Sequence, residues 1–126
     1  MTFMRTDAHT LSRSIRIAAP LVKVWELITT VARVAEWYDT WDVVEHAADE
    51  RLQVGTSFRL IRHGIGRNES ALCYVTLVEP LKRLCWLQHA HQQPLMLVEF
   101  QLVSLTEGAT GTWVNHTRTW IEPADR

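Results

Sequence analysis

His116 and Arg118 are the pair in this sequence best suited to act on a bound molecule. They stand two residues apart in a run whose side chains alternate, so they share one face of an extended strand with Thr112, Val114 and Trp120. A histidine changes charge near neutral pH and can give or take a proton, while a guanidinium can hold a carboxylate or an enolate oxygen. Small-molecule sites are built from apolar walls with a few convergent polar groups, and this face has that composition. The same spacing also suits two residues at a pocket mouth or paired with an acidic neighbour. A slip of one residue in strand phase would turn both outward.

Other candidate groups carry less. His89 and His91 share a strand face and could begin a metal site, but no third or fourth ligand stands at a suitable spacing, so no metal is expected. Cys73 and Cys85 are not spaced as a redox or zinc pair and lie in strand-like runs, which fits buried free thiols. Asp39 and Asp42 suit turns. There is no nucleophile elbow, phosphate loop or carboxylate pair, and no cofactor is expected. Six tryptophans are many for a chain of 126 residues, and most should be core. Trp37, Tyr38 and Trp41 follow a helical stretch, where they could stack on a planar ligand or close a corner between helix and sheet.

The elements that must position these residues can be read from periodicity. Ser12 to Ala18 alternates and forms a first strand. Pro20 then suits a helix start, and Leu21, Val24, Trp25 and Ile28 recur at i, i+3, i+4 and i+7. Thr29 or Thr30 can cap a second short helix carrying Val31, Val34, Ala35 and Tyr38. From Trp41 onward the period falls toward two. Breaks at Ala48-Asp49-Glu50, Gly64-Ile65-Gly66, Glu79-Pro80-Leu81, Gln92-Gln93-Pro94 and Glu107-Gly108-Ala109 divide six strands. These are placed near Asp42 to Ala47, Gly55 to Arg62, Asn68 to Val78, Arg83 to His91, Leu95 to Leu105 and Thr110 to Ile121. Connections this short join antiparallel neighbours, because parallel pairs need long crossovers. The class is α+β, with one sheet whose apolar face two short helices cover only in part. The uncovered part implies a pocket.

Composition narrows the partners. Hydrophobic residues make up 47% and charged residues 21%, so the chain should fold rather than stay disordered. Residues 1–11 read as a flexible arm and residues 12–126 as one domain. Thirteen basic residues against fourteen acidic ones are scattered and form no basic stripe, so no nucleic acid is expected as a partner. Apolar runs such as Leu95 to Val98 are far too short to span a bilayer, and Met1 to Arg13 lacks a signal-peptide core. A cytoplasmic location without stable membrane insertion is the expectation.

One set of residues carries a family resemblance: Ile15-Arg16-Ile17-Ala18-Ala19-Pro20, Val24-Trp25, Trp37 with Trp41, Val54-Gly55, Val78-Glu79-Pro80, Leu84-Cys85-Trp86 and Gly111-Thr112. In order and spacing the chain resembles the START-like helix-grip superfamily, also called SRPBCC, and within it the polyketide cyclase/dehydrase-like branch, from about Ser12 to Ile121. The resemblance implies a seven-stranded curved antiparallel sheet gripping a long C-terminal helix, with a cavity for a small hydrophobic molecule. This sequence departs at its end: Pro123 suits the first turn of that helix, yet only Ala124, Asp125 and Arg126 follow. The C-terminal helix is expected to be missing and the exposed sheet face to be covered by a homodimer or higher assembly.

The resemblance also implies the strand phase. With Leu84 and Trp86 facing the cavity, Phe58, Leu60, Met96, Val98, Phe100 and Leu102 follow, as do Val114 and Trp120 beside His116 and Arg118. Trp37, Trp41 and Tyr74 complete the expected ligand wall, while His89 and His91 fall on the convex side. Three functions are compatible with such a site. The first is binding of a small hydrophobic ligand for carriage, sequestration or sensing. The second is a polyketide cyclase/dehydrase-like enzyme with His116 as acid/base, assisted by Arg118 or Tyr74. The third is a protein-interaction or co-chaperone-type module.

Overall fold

Alternating side chains give one antiparallel sheet, and the computed structural model describes it over residues 4–7, 9–38, 41–46, 50–105 and 111–121. Its strands are β1 (Met4–Asp7), β2 (Thr10–Ile17), β3 (Val43–His46), β4 (Ser57–Arg62), β5 (Glu69–Glu79), β6 (Arg83–Ala90), β7 (Leu95–Ser104) and β8 (Thr112–Ile121). Their order across the sheet is β1-β2-β8-β7-β6-β5-β4-β3, so the meander β3 to β8 is closed by β2 lying against β8. The seven expected strands are all present. An eighth, β1, pairs with β2 inside the segment expected to be a flexible arm. The turns expected at Ala48-Asp49 and Glu107 to Ala109 lie outside the described residues, as do residues 122–126, where the helix that the resemblance implies, and that was expected to be missing, would begin.

Helix α1 (Leu21–Thr29) follows Pro20, whose ring fixes an extended entry with φ −66°. Its buried face is Val24 and Ile28, with Leu21 and Trp25 half-buried beside them. The second helix is split into a 3₁₀ turn over Val31–Arg33 and a single α turn, α2 (Val34–Trp37). Thr30 stands at its N-cap position, but neither the Thr29 nor the Thr30 hydroxyl makes a capping hydrogen bond to it. Their hydroxyls donate back to the carbonyls of Trp25 at 2.7 Å and Glu26 at 2.6 Å, which closes α1 instead.

Strand β8 is seated at its start by a close approach. A Cβ on Gly111 would lie 2.5 Å from Leu105 Cδ1 and 3.1 Å from the Ile17 carbonyl oxygen, so a larger residue would require the Leu105 side chain and the β2 backbone to shift. The neighbouring Thr112 is fully buried, and its hydroxyl donates to the Ala19 carbonyl at 2.9 Å. These contacts fix the register in which His116 lies opposite Arg13, and Arg118 opposite Leu11. Among the described residues no helix is long and apolar enough to cross a membrane.

Candidate ligand cavity and its buried polar floor

Residues directly opposite on antiparallel strands share a face. The inner face therefore reads as rows across β6, β7 and β8: Leu84, Phe100 and His116; Trp86, Val98 and Arg118; Gln88, Met96 and Trp120. Phe58, Leu60, Val98, Val114 and their neighbours are buried on it.

The middle of this face is filled by the chain itself. Trp37 and Tyr38, at the end of α2, reach down onto the sheet. The Tyr38 ring meets Trp86 edge-on at 5.2 Å, and Trp37 meets Phe100 edge-on at 5.1 Å. Phe58 packs against the other side of Trp86 at 5.2 Å. Trp86 is wholly buried, and its indole N–H donates to Gln88 Oε1 at 3.1 Å, as does the Tyr38 hydroxyl at 3.0 Å. Edge-to-face contacts of this kind add to what burial alone contributes.

His116 belongs to this packed layer. Its ring stacks on Phe100 at 4.4 Å, and it is 4% exposed. Burial pushes its pKa down to about 3, helped by the positive charges of Arg118 and Arg13. The imidazole is therefore neutral at physiological pH. Arg118 Nε lies 3.5 Å from His116 Nε2, and since a guanidinium has no acceptor, Nε2 must be the unprotonated nitrogen. A group so placed is a poor source of protons near neutral pH.

Open space lies at one end of the face, beyond the packed layer. A cavity of about 620 Å³ is bounded by Trp41, Met96 and Trp120, with Arg118 and Gln88 at its floor. Arg67, Asn68 and Ser70 line it from the β4–β5 side, and His91, Gln93 and Pro94 from the β6–β7 turn. The Arg62 guanidinium covers the Trp41 ring at 4.3 Å and pairs with Glu69 at 3.1 Å. A second hollow of about 330 Å³ lies outside α1, against Trp25, Arg51 and Val78, and none of the candidate catalytic or ligand-binding residues lines it.

Of the expected wall, Trp41, Met96, Trp120 and Arg118 border the cavity. Trp37, Phe58, Leu60, Trp86, Val98, Phe100, Val114 and His116 lie in the packed layer and not on the cavity wall. Tyr74 is misplaced by the sequence reading. It pairs with Leu87, between the inward Trp86 and Gln88, so it faces outward and is 48% exposed. Tyr74→Ala is accordingly expected to change stability by no more than about 0.5 kcal/mol and to leave probe binding unaltered; a loss of binding in a fluorescence titration would return Tyr74 to the site. His89 and His91 also separate, because His89 is exposed on β6 while His91 enters the turn and lines the cavity mouth. Among the described residues no cluster of three metal-ligating side chains exists. Cys73 and Cys85 are buried and free, and burial raises the Cys73 thiol well above its usual pKa, so it stays protonated.

Sequence reasoning missed Gln88, Arg62, Arg67 and the turn residues. The signal for Gln88 was its even-numbered phase with Leu84 and Trp86, the same alternation that placed those two inward.

The model of the family described as Activator of Hsp90 ATPase homolog 1-like protein matches residues 18–125. The chain belongs to this family. It is an Activator of Hsp90 ATPase homolog 1-like chain within the START-like, SRPBCC superfamily, and solved structures share its fold. A protein from Rhodobacter sphaeroides is 22% identical with a TM-score of 0.78, the match covering 95% of this chain and 78% of that one. An aromatase/cyclase from a Streptomyces species is 21% identical with a TM-score of 0.72, covering 93% and 70%. A protein of the dynemicin biosynthetic locus is 24% identical with a TM-score of 0.66, covering 90% of this chain but 38% of that one. Identities this low speak to fold alone. No curated protein sequence matches the chain.

Proposed function

We propose that this Activator of Hsp90 ATPase homolog 1-like chain binds a small, largely apolar organic molecule in the end cavity, to carry, sequester or sense it. One observation carries the proposal: about 620 Å³ stays open beside Trp41, Met96 and Trp120 although the rest of the same face is closed by Trp37 and Tyr38. Volumes of this order are those of small-molecule sites. Burial of ligand surface would supply affinity at roughly 25 cal/mol per Å² before the cost of association. Helix-grip families typically bind hydrophobic molecules, which supports the same proposal.

Native mass spectrometry of the purified protein tests it. An organic adduct that solvent extraction removes is the expected result, together with saturable tryptophan quenching by naphthalene-type probes that Trp41→Ala weakens. Absence of both adduct and saturable probe binding would end the proposal.

The aromatase/cyclase likeness supports a second reading, an enzyme that folds and dehydrates a poly-ketone. There Arg118, on the cavity wall, would polarise a carbonyl, and neutral His116 would orient its guanidinium from below. Turnover surviving Arg118→Met would discard it. A protein-interaction role, after the Hsp90 activator in the family's name, stands third. A homodimer also remains our proposal: Ile15, opposite Val114 on the inner face, is 41% exposed and would be covered by a second copy.

A further inference from the structure

One polar group at the floor of the cavity has half of its hydrogen-bonding capacity unused. Gln88 is 7% exposed, and its neighbours fix which way its amide faces. The Trp86 indole can only donate, so the atom it meets at 3.1 Å must be the amide oxygen. The Tyr38 hydroxyl at 3.0 Å and the Cys73 thiol at 3.8 Å approach the same oxygen, which therefore has no room for a further donor. The amide nitrogen, on the other branch, carries two protons and has no acceptor among the described residues.

This nitrogen differs from the other partnerless ones nearby. The indole nitrogens of Trp37 and Trp41 are sealed within the packing, whereas the Gln88 nitrogen keeps accessible surface on a residue that borders the cavity. Buried polar groups are normally paired, so an open, unpaired N–H₂ at the floor of a hollow marks where a guest's acceptor would arrive. Water can meet these protons until a guest displaces it, and the guest must then supply an acceptor or leave them bare. The neighbouring arginines are not needed for this. Arg62 is held by Glu69 and Trp41, and Arg118 by His116 and the Tyr38 ring.

The kind of acceptor follows from what the floor lacks. A hydroxyl could accept from Gln88, but its own proton would need a taker. Gln88 Oε1 is already used by three donors, and His116 Nε2 faces Arg118. Trp41 and Trp120 have only N–H groups to offer, and Met96 only a weak thioether. A carboxylate would also accept, at the higher cost of stripping water from a full charge. A carbonyl oxygen accepts, does not donate and carries no net charge.

We infer that Gln88 is the specificity-determining residue of the cavity, selecting guests whose buried end is a carbonyl oxygen, as in a ketone or quinone, over the corresponding alcohols. This rests on the ligand-binding proposal above and narrows it to a chemical class.

Two probes that differ only in that group test it: 2-acetylnaphthalene and the alcohol made by reducing it, 1-(2-naphthyl)ethanol, each titrated by calorimetry into the full chain at pH 7.5. The ketone should bind about fivefold or more tightly, because the alcohol buries a proton that nothing accepts. In isotope-edited infrared spectra the bound ketone's carbonyl stretch should lie below its value in heptane, as that of a hydrogen-bonded carbonyl does. Gln88→Glu keeps an oxygen for Trp86 and Tyr38 and replaces the donor by an acceptor, so it should reverse the preference. Gln88→Met should reduce it to about twofold or less and return the stretch toward the heptane value. Circular dichroism checks that both variants fold. An alcohol that binds as well as the ketone to the wild type, a wild-type stretch at the heptane value, or a preference unchanged in the folded variants would each overturn the role of Gln88 while the binding proposal stands. The two wild-type readings decide even where a variant does not fold. If neither probe saturates the wild type, both proposals fall.

Discussion

Truncating Trp86 to alanine is expected to destabilise the fold by about 3–5 kcal/mol, the range of buried tryptophan and phenylalanine truncations in well-packed cores. The side chain is wholly buried and meets Tyr38, Phe58 and Phe100 at ring separations of 5.2 to 5.3 Å. Its loss would also remove the donor that fixes Gln88. Domains of this kind are stable by only about 5–15 kcal/mol, so the variant should be close to unfolding at ambient temperature. Trp86→Phe divides the loss: it retains one aromatic ring but removes the N–H together with part of the buried ring volume, which predicts about 1 kcal/mol for the hydrogen bond plus a cavity cost smaller than that of the alanine variant. Urea denaturation of the three proteins reads both values. A truncation costing less than about 1.5 kcal/mol would mean that the aromatic layer can collapse around the gap, and that the middle of the face is less rigidly filled than described.

A second large effect should follow acidification. His116 has its pKa lowered from 6.5 to about 3 in the folded protein, so between these values the unfolded chain binds the extra proton. Stability from this residue is therefore fully present above pH 6.5 and is lost progressively as pH falls toward 3. At about 1.4 kcal/mol per unit, the loss attributable to His116 is roughly 3 kcal/mol by pH 4. His116→Gln keeps a neutral acceptor for Arg118 and cannot titrate. Its stability curve should therefore lie flatter than the wild type's between pH 6.5 and 4, although carboxylates contribute to both. Parallel acid limbs in the two proteins would show that His116 is not held neutral by its surroundings.

The sheet was readable because its strands obey a period of two over long runs. Phe58 and Leu60, Leu84 and Trp86, and Met96 through Leu102 all show alternation with partners that agree in phase. Tyr74 failed for a local reason. It sits between Cys73 and Val75, both apolar, so its own strand carries no contrast and only its pairing with Leu87 reveals the face. Strand β1 was missed because Met4–Asp7 is short and gains its hydrogen bonds from β2. Thr30 does stand at the N-cap position of the 3₁₀ turn, but its hydroxyl, like that of Thr29, bonds back to the previous helix, since a hydroxyl that can cap the next helix can equally do so.

The cavity was harder to foresee than the sheet. The resemblance indicated which residues face inward, but not that Trp37 and Tyr38 would occupy the centre; that depends on where a single helical turn lands on the sheet. Gln88 and His91 were passed over for opposite reasons. The first is polar yet buried by a network that three other side chains complete, and the second leaves its strand at a turn where alternation ends. The polar share of a pocket lies in such exceptions to pattern.

Pairing β2 with β8 has a consequence for the order in which the molecule assembles. Ser14 Oγ donates to Asn115 Oδ1 at 2.6 Å across a sequence separation of 101 residues, whereas β4 to β8 are joined by short hairpins. Closing the long loop carries an entropic penalty that the hairpins avoid, so the hairpins should zip first and β2 should dock late. Until it docks, Arg13 and Leu11 are missing from beside His116 and Arg118, and the floor of the cavity has an open flank. Competence to hold a guest should therefore arise in the slowest kinetic phase of refolding, after most of the strand signal has already returned.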